Sequence, residues 1–333
     1  MVLRSLIISL ASLAWSLAAL ANVSRPDLPE SGDLSDTLET LLSVPEDEID
    51  LTWSKLVVDS LIDPEADIED TYATINAMAL AVSYLAGPDA SAAQHVATLR
   101  AYIYQAGPWN GDQPFDYDFD DPMGLSASHK SLHRYLTTKK GNCINMPFLF
   151  LAIGEQLGVE MNATTAPRHV FIQFEDPATG EVQHLETTSG AMPQRLVWQR
   201  QIMPMSDRAI ESGMYFQRLS KRQQVALMGE AFLHLAGEQS DHEEILELTD
   251  FILDVFPQSD NALLHRMQAS RHLIRSEILP RYNSPDVMRP DVIGQFNEWA
   301  VLHDTAIDAL SQNGWQPYVQ TEHVVTPGEG RPK

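Results

Sequence analysis

The chain has one cysteine, Cys143, in 333 residues, so no disulfide can form within it, and its fold must rest on burial and hydrogen bonding. It is also poor in base: 22 Lys and Arg stand against 46 Asp and Glu, for a formal charge of −24. That balance repels phosphate backbones and anionic lipid and argues against nucleic acid as a partner. After the first 21 residues no run is long and apolar enough to read as a membrane span. Neither an HExxH helix nor paired cysteines at zinc spacing occur, and His169, His184 and Glu186 are the only weak grouping, so no metal or cofactor is expected. Asp116, Asp118 and Asp120 alternate like the start of a calcium loop, but Asp121 stands where that loop needs Gly and Ala127 where it needs Glu.

What is present opens with Arg4, an apolar run from Leu6 to Leu20 and the small-residue end Ala19-Leu20-Ala21, the layout of a cleavable secretory signal. The mature chain is expected to start near Asn22 and to be secreted or periplasmic. Residues 22–36, rich in Pro, Ser, Gly and Asp without periodicity, read as a disordered leader. Leu51–Ile62, Ile68–Leu85 and Ser91–Gln105 carry apolar residues at helical spacing, with Gly87-Pro88 between the last two. Pro108 to Ser128 reads as a long loop. Ile144–Leu157 is nearly all apolar and stops at Gly158, which predicts a helix buried on every side, with Pro147 tolerated in its first turn. His169–Phe174 and Glu181–Glu186 alternate around the turn residues Asp176 to Gly180 and predict a β-hairpin. Pro193 to Gly213 looks irregular. Gln223–Leu235, Glu243–Phe256 and Asn261–Ser276 are amphipathic, suggesting a helix pair like a tetratricopeptide unit of ~34 residues. The Pro- and Gly-rich end, 313–333, reads as a flexible tail.

At this length two structural units are expected. The fold class is α+β, with a helix-rich core carrying a small antiparallel sheet over 37–212 and an all-α, repeat-like region over 213–312.

Cys143 lies at the amino end of the buried helix, where partial positive charge from the helix favours a thiolate. A thiol nucleophile also needs an imidazole as base and then acid, held by a third polar group. His169 and Glu186 sit on the two arms of the hairpin. Whether they meet depends on register, because opposite residues share a face and faces alternate. A loop of Pro177–Gly180 pairs Asp176 with Glu181, sets Glu186 opposite Phe171 and makes His169 its diagonal neighbour. A loop beginning at Asp176 exchanges the faces and separates them. His184, two residues before Glu186 and on its face, is the competing base, and Arg168 is expected to pair with the acidic surface. The oxyanion site should use the Cys143 backbone N–H and a donor from 132–142, with Asn142 and Tyr135 as candidates.

Gly141-Asn142-Cys143 heading an apolar helix, then Arg168-His169-Val170-Phe171-Ile172 opening a strand, then His184-Leu185-Glu186-Thr187-Thr188-Ser189-Gly190 closing the next, resembles the transglutaminase-like superfamily of papain-type thiol enzymes. The approach YLTTKKGNC is similar to a bacterial branch with a helical prologue and a tetratricopeptide-like tail. The resemblance implies Cys143 as nucleophile, His169 as base and Glu186 as orienting acid, acting on a peptide or glutamine-type amide in a protein or peptide substrate. The family commonly has Asp in the third position and an aromatic residue soon after the His, where this chain has Glu186 and Val170. The competing function is a non-catalytic periplasmic scaffold whose carboxy-terminal helices hold a protein partner. It requires a buried, unreactive Cys143 away from His169.

Overall fold

The structure, a computed structural model, describes residues 25–29, 32–282 and 287–317. The segment read as a secretory signal, and residues 318–333 of the segment read as a flexible tail, lie outside the described residues. Where the sequence reads a leader, Asp33 accepts from the backbone of Asp36 and starts helix α1, Leu34–Ser43, one turn earlier than expected. Ser35 is fixed there by two hydrogen bonds to Glu244, a contact 209 residues away that no local pattern announces.

Helices α2 (Leu51–Ile62), α3 (Ile68–Ala86) and α4 (Ala92–Tyr104) follow, each opened by a side-chain cap from Asp50, Asp67 or Ser91. Gly87 ends α3 with φ +93°, a conformation a side chain rarely adopts. The Asp-rich stretch contributes only strand β1, Asp116–Tyr117, and its carboxylates cap their own loop: Asp118 accepts from the backbone of Asp120 and Asp121. Helix α5 (Leu132–Thr138) leads to strand β2 (Lys140–Gly141), which runs parallel to β1.

Helix α6, Asn145–Gln156, is the apolar helix foreseen, and its residues from Asn145 to Gly154 are all buried. At its far end Glu155 accepts hydrogen bonds from the backbone N–H groups of Leu51 and Thr52, setting a carboxylate on the amino end of α2. The hydrophobic core is shared by α6, α2, the sheet and the first carboxy-terminal helix.

The sheet has four antiparallel strands in chain order: β3 (Met161–Ala166), β4 (His169–Glu175), β5 (Val182–Glu186) and β6 (Met192–Gln194). The two outer strands add to the expected hairpin. β3 is poor in strand formers, and tertiary contacts hold it: backbone carbonyls of Thr165 and Ala163 accept from Phe216 and Leu219, and Gln224 accepts from the Ala163 N–H. The segment after β6, expected to be irregular, forms two short helices, α7 (Leu196–Ile202) and α8 (Asp207–Glu211).

The carboxy-terminal region is all helical, with α9 (Lys221–Gln239), α10 (His242–Val255), α11 (Asp260–Leu273) and α12 (Pro290–Gln312) packing consecutively. α9 also lies against α1 and α2, and its Val225, Ala226 and Phe232 are fully buried in the main core. Among the described residues no helix is long and apolar enough to cross a membrane.

Candidate active site

Two asparagines build the approach to Cys143. Asn142 Oδ1 accepts from the backbone N–H groups of Ile144 (3.0 Å) and Asn145 (3.2 Å), while Asn145 Oδ1 accepts from the Asn142 N–H (2.8 Å). This reciprocal cap collects the N–H groups on either side of Cys143 and leaves the Cys143 N–H itself without a partner among the described residues. The remaining amide protons staple the preceding turn: Asn142 Nδ2 and Asn145 Nδ2 both donate to the His129 carbonyl. Gly141 is required here, since a Cβ would lie 2.6 Å from both Asn145 Oδ1 and Tyr135 Cε2.

The β4–β5 register pairs Ile172 with Leu185 and Glu175 with Val182, and the Asp176 N–H donates to the Glu181 carbonyl. This is the first of the two registers, the one that leaves His169 and Glu186 on one face. His169 Nε2 meets Glu186 Oε2 at 2.7 Å, while Glu186 Oε1 accepts from the Thr188 backbone (3.0 Å) and hydroxyl (2.7 Å). Thr187–Ser189 is a short 3-10 turn, so the longer Glu side chain is braced by its own chain.

Burial pulls the His169 imidazolium down. The Glu186 carboxylate and the Cys143 sulfur outweigh it and raise His169 to about 10. Burial likewise acts to raise Glu186, but the His169 charge and the Thr188 hydrogen bonds leave it below the ordinary carboxylate value. The two groups therefore form an ion pair at neutral pH. Cys143 is 3% exposed, and its Sγ lies 3.9 Å from the Arg168 carbonyl in the tight Pro167-Arg168 turn between β3 and β4.

Cys143 and His169 face a cavity of about 400 Å³. Its walls are the 123–130 turn, the head of α6, the β3–β4 turn, α9 and the first turns of α11. Glu230 and Asp260 also line it; burial raises Glu230 to about 7, and its oxygens accept from Ser259 and Asn261, while Asp260 accepts from the Tyr215 hydroxyl.

The structure does not bring every sequence candidate to this cavity. Asn142 is committed to capping, and Tyr135 is fully buried against Phe115 and Gly141; neither lines the cavity. His184 packs on Phe171 and Phe216, burial lowers its proton affinity, and it too is off the cavity. Arg168 makes no ion pair among the described residues and lines the cavity instead. Two residues carried no sequence signal. Tyr117 is pushed up to about 12 by burial and by the charges of Cys143 and Glu186, and Lys130 lines the cavity with Cys143.

A buried helix headed by a thiol, followed by antiparallel strands bearing an imidazole and a carboxylate, is consistent with a cysteine-type acyltransferase or protease-like fold. Residues 69–228 match the family model described as transglutaminase-like superfamily, and the chain carries a domain of that superfamily. The match ends in α9, so the tetratricopeptide-like reading of the later helices gains no support from it. No curated protein and no solved structure matches the chain significantly.

Proposed function

We propose that this chain is a secreted or periplasmic cysteine acyl-transfer enzyme that hydrolyses peptide or glutamine-type amides through Cys143, His169 and Glu186. The observation that carries this reading is the His169–Glu186 pair at 2.7 Å with Cys143 in the same cavity. Glu186 holds Nε2, which leaves Nδ1 to exchange a proton with the thiol. Sγ attacks the carbonyl carbon, the imidazolium protonates the leaving amine, and a thioester forms. Water then attacks the thioester, giving its proton to His169, and the acid and the thiol are released. The superfamily domain supports a protein or peptide substrate.

The scaffold reading requires a buried, unreactive Cys143 away from His169; Cys143 is buried, but it lines the same cavity as His169. Iodoacetamide labelling of the native protein across roughly pH 5–9 separates the two readings. Rapid labelling of Cys143 at the acid end, lost in His169→Ala, is expected. Labelling only after unfolding would leave the scaffold.

A further inference from the structure

An acyl-transfer site must stabilise the negative oxygen that appears when the thiol adds to a carbonyl, and one backbone N–H seldom suffices. The Cys143 N–H is open. Neither Asn142 nor Tyr135, the side chains placed suitably in sequence, lines the cavity.

Lys130 does line it, and the fold fixes it at both ends. Its backbone carbonyl accepts from Lys55 Nζ at 3.1 Å, and Lys55 is itself buried in a pair with Asp59, which accepts from the Leu132 N–H. Its own Nζ donates to the Gly124 carbonyl at 3.1 Å and contacts His234 Nδ1. Gly124, at φ +64°, keeps that approach open, since a Cβ there would come 3.2 Å from Lys130 Cγ. An ammonium has three protons, and these two partners use two. Burial draws Lys130 down to about 8, and Cys143 is the foremost charge opposing that, ahead of Glu238 and Asp121. The cavity carboxyls of Glu230 and Asp260 are satisfied by Ser259, Asn261 and Tyr215, so neither is bonded to Lys130.

We propose that the third N–H of Lys130 is the second oxyanion donor, acting with the Cys143 backbone N–H. The inference rests on the thiol acyl-transfer reading above. As the Sγ–C bond forms, the carbonyl π pair moves to oxygen and is held by these two donors. When the pair returns, the bond to the leaving group breaks.

The test uses two reagents on the same sulfur. Iodoacetamide alkylates by displacement of iodide and forms no oxyanion, whereas p-nitrophenyl acetate acylates through one and releases p-nitrophenolate. In Lys130→Met the ratio of acylation to alkylation rates should fall roughly 10²-fold, the usual effect of losing one oxyanion donor, with partial recovery in Lys130→Arg. Lys130→Gln is measured beside it, so that misfolding of one variant does not decide the result. An unchanged ratio, with both rates steady or both falling together, overturns the proposal, because a purely structural or thiolate-pairing role acts equally on both reactions. If neither reagent modifies native wild-type protein, the acyl-transfer reading itself fails, and this inference with it.

Discussion

Glu186→Gln keeps the shape of the hairpin end and removes one charge. In the wild type, burial disfavours the His169 cation and the Glu186 carboxylate is the foremost influence restoring it, to about 10. Without that charge only the Cys143 sulfur opposes burial, and the imidazolium is disfavoured. The wild-type pair has a defined window of stability. His169 lies above its unfolded value of 6.5, so its contribution is complete below pH 6.5 and is lost as the pH rises through about 10. Glu186 lies below its unfolded value of 4.5, so its contribution is present above pH 4.5 and is lost as the pH falls further. The side chains are 15% and 6% exposed, so solvent screens the pair little. Removing one partner of such a pair costs on the order of 3–5 kcal/mol. Between the two His169 values the deficit should shrink by about 1.4 kcal/mol per pH unit. Urea unfolding of both proteins at about pH 6 and about pH 10 reads this directly, with a large gap in the first and a small one in the second. Iodoacetamide labelling at about pH 6 should slow at least tenfold in the variant. A stability gap that does not change with pH, or equal labelling rates, would refute the ion pair.

The same chemistry places the alkaline limb of acylation near the His169 value of about 10, because the imidazolium must protonate the leaving group; a limb near 6.5 in a pH–rate profile would contradict it. Lys55→Met leaves Asp59 buried without its cation and should cost about 3–5 kcal/mol in denaturant unfolding, while Lys55→Met/Asp59→Leu should recover most of that. Gly141→Ala should cost about 1–3 kcal/mol from overpacking against Tyr135 and Asn145, and should slow thiol labelling because it displaces the asparagine cap. Burial raises Glu230 to about 7, above its unfolded value of 4.5, so wild-type stability is penalised as the pH rises from 4.5 through 7. Glu230→Gln should therefore gain on the wild type by on the order of 1–3 kcal/mol at about pH 8 relative to about pH 5, and melting curves at the two pH values would show no such gain if the carboxyl were solvated.

Much of the helical framework is legible in the sequence, because each helix states its own limits. Apolar residues recur at helical spacing, Gly87 and Gly158 stop, and the run from Asn145 to Gly154 is too uniformly apolar to lie anywhere but inside. The thiol at the head of that helix and the hairpin bearing His169 and Glu186 are legible for the same local reason. What local pattern could not settle was anything requiring two distant segments to meet. The hairpin turn admits two registers, and the one formed, with Asp176 paired to Glu181 and Gly180 at φ +71° closing the Pro177–Gly180 loop, unites His169 with Glu186. β3 exists because 216–224 covers its edge, and α1 is anchored by Glu244, 209 residues away. That Cys143 heads a buried helix upstream of a hairpin with an imidazole and an acid follows from the order of residues alone, since periodicity and turn chemistry are properties of neighbouring residues. Only the tertiary structure turned Asn142 and Tyr135 away from the cavity and brought Lys130 and the walls of α9 and α11 to it, since a cavity is made where segments far apart in the chain exclude solvent together.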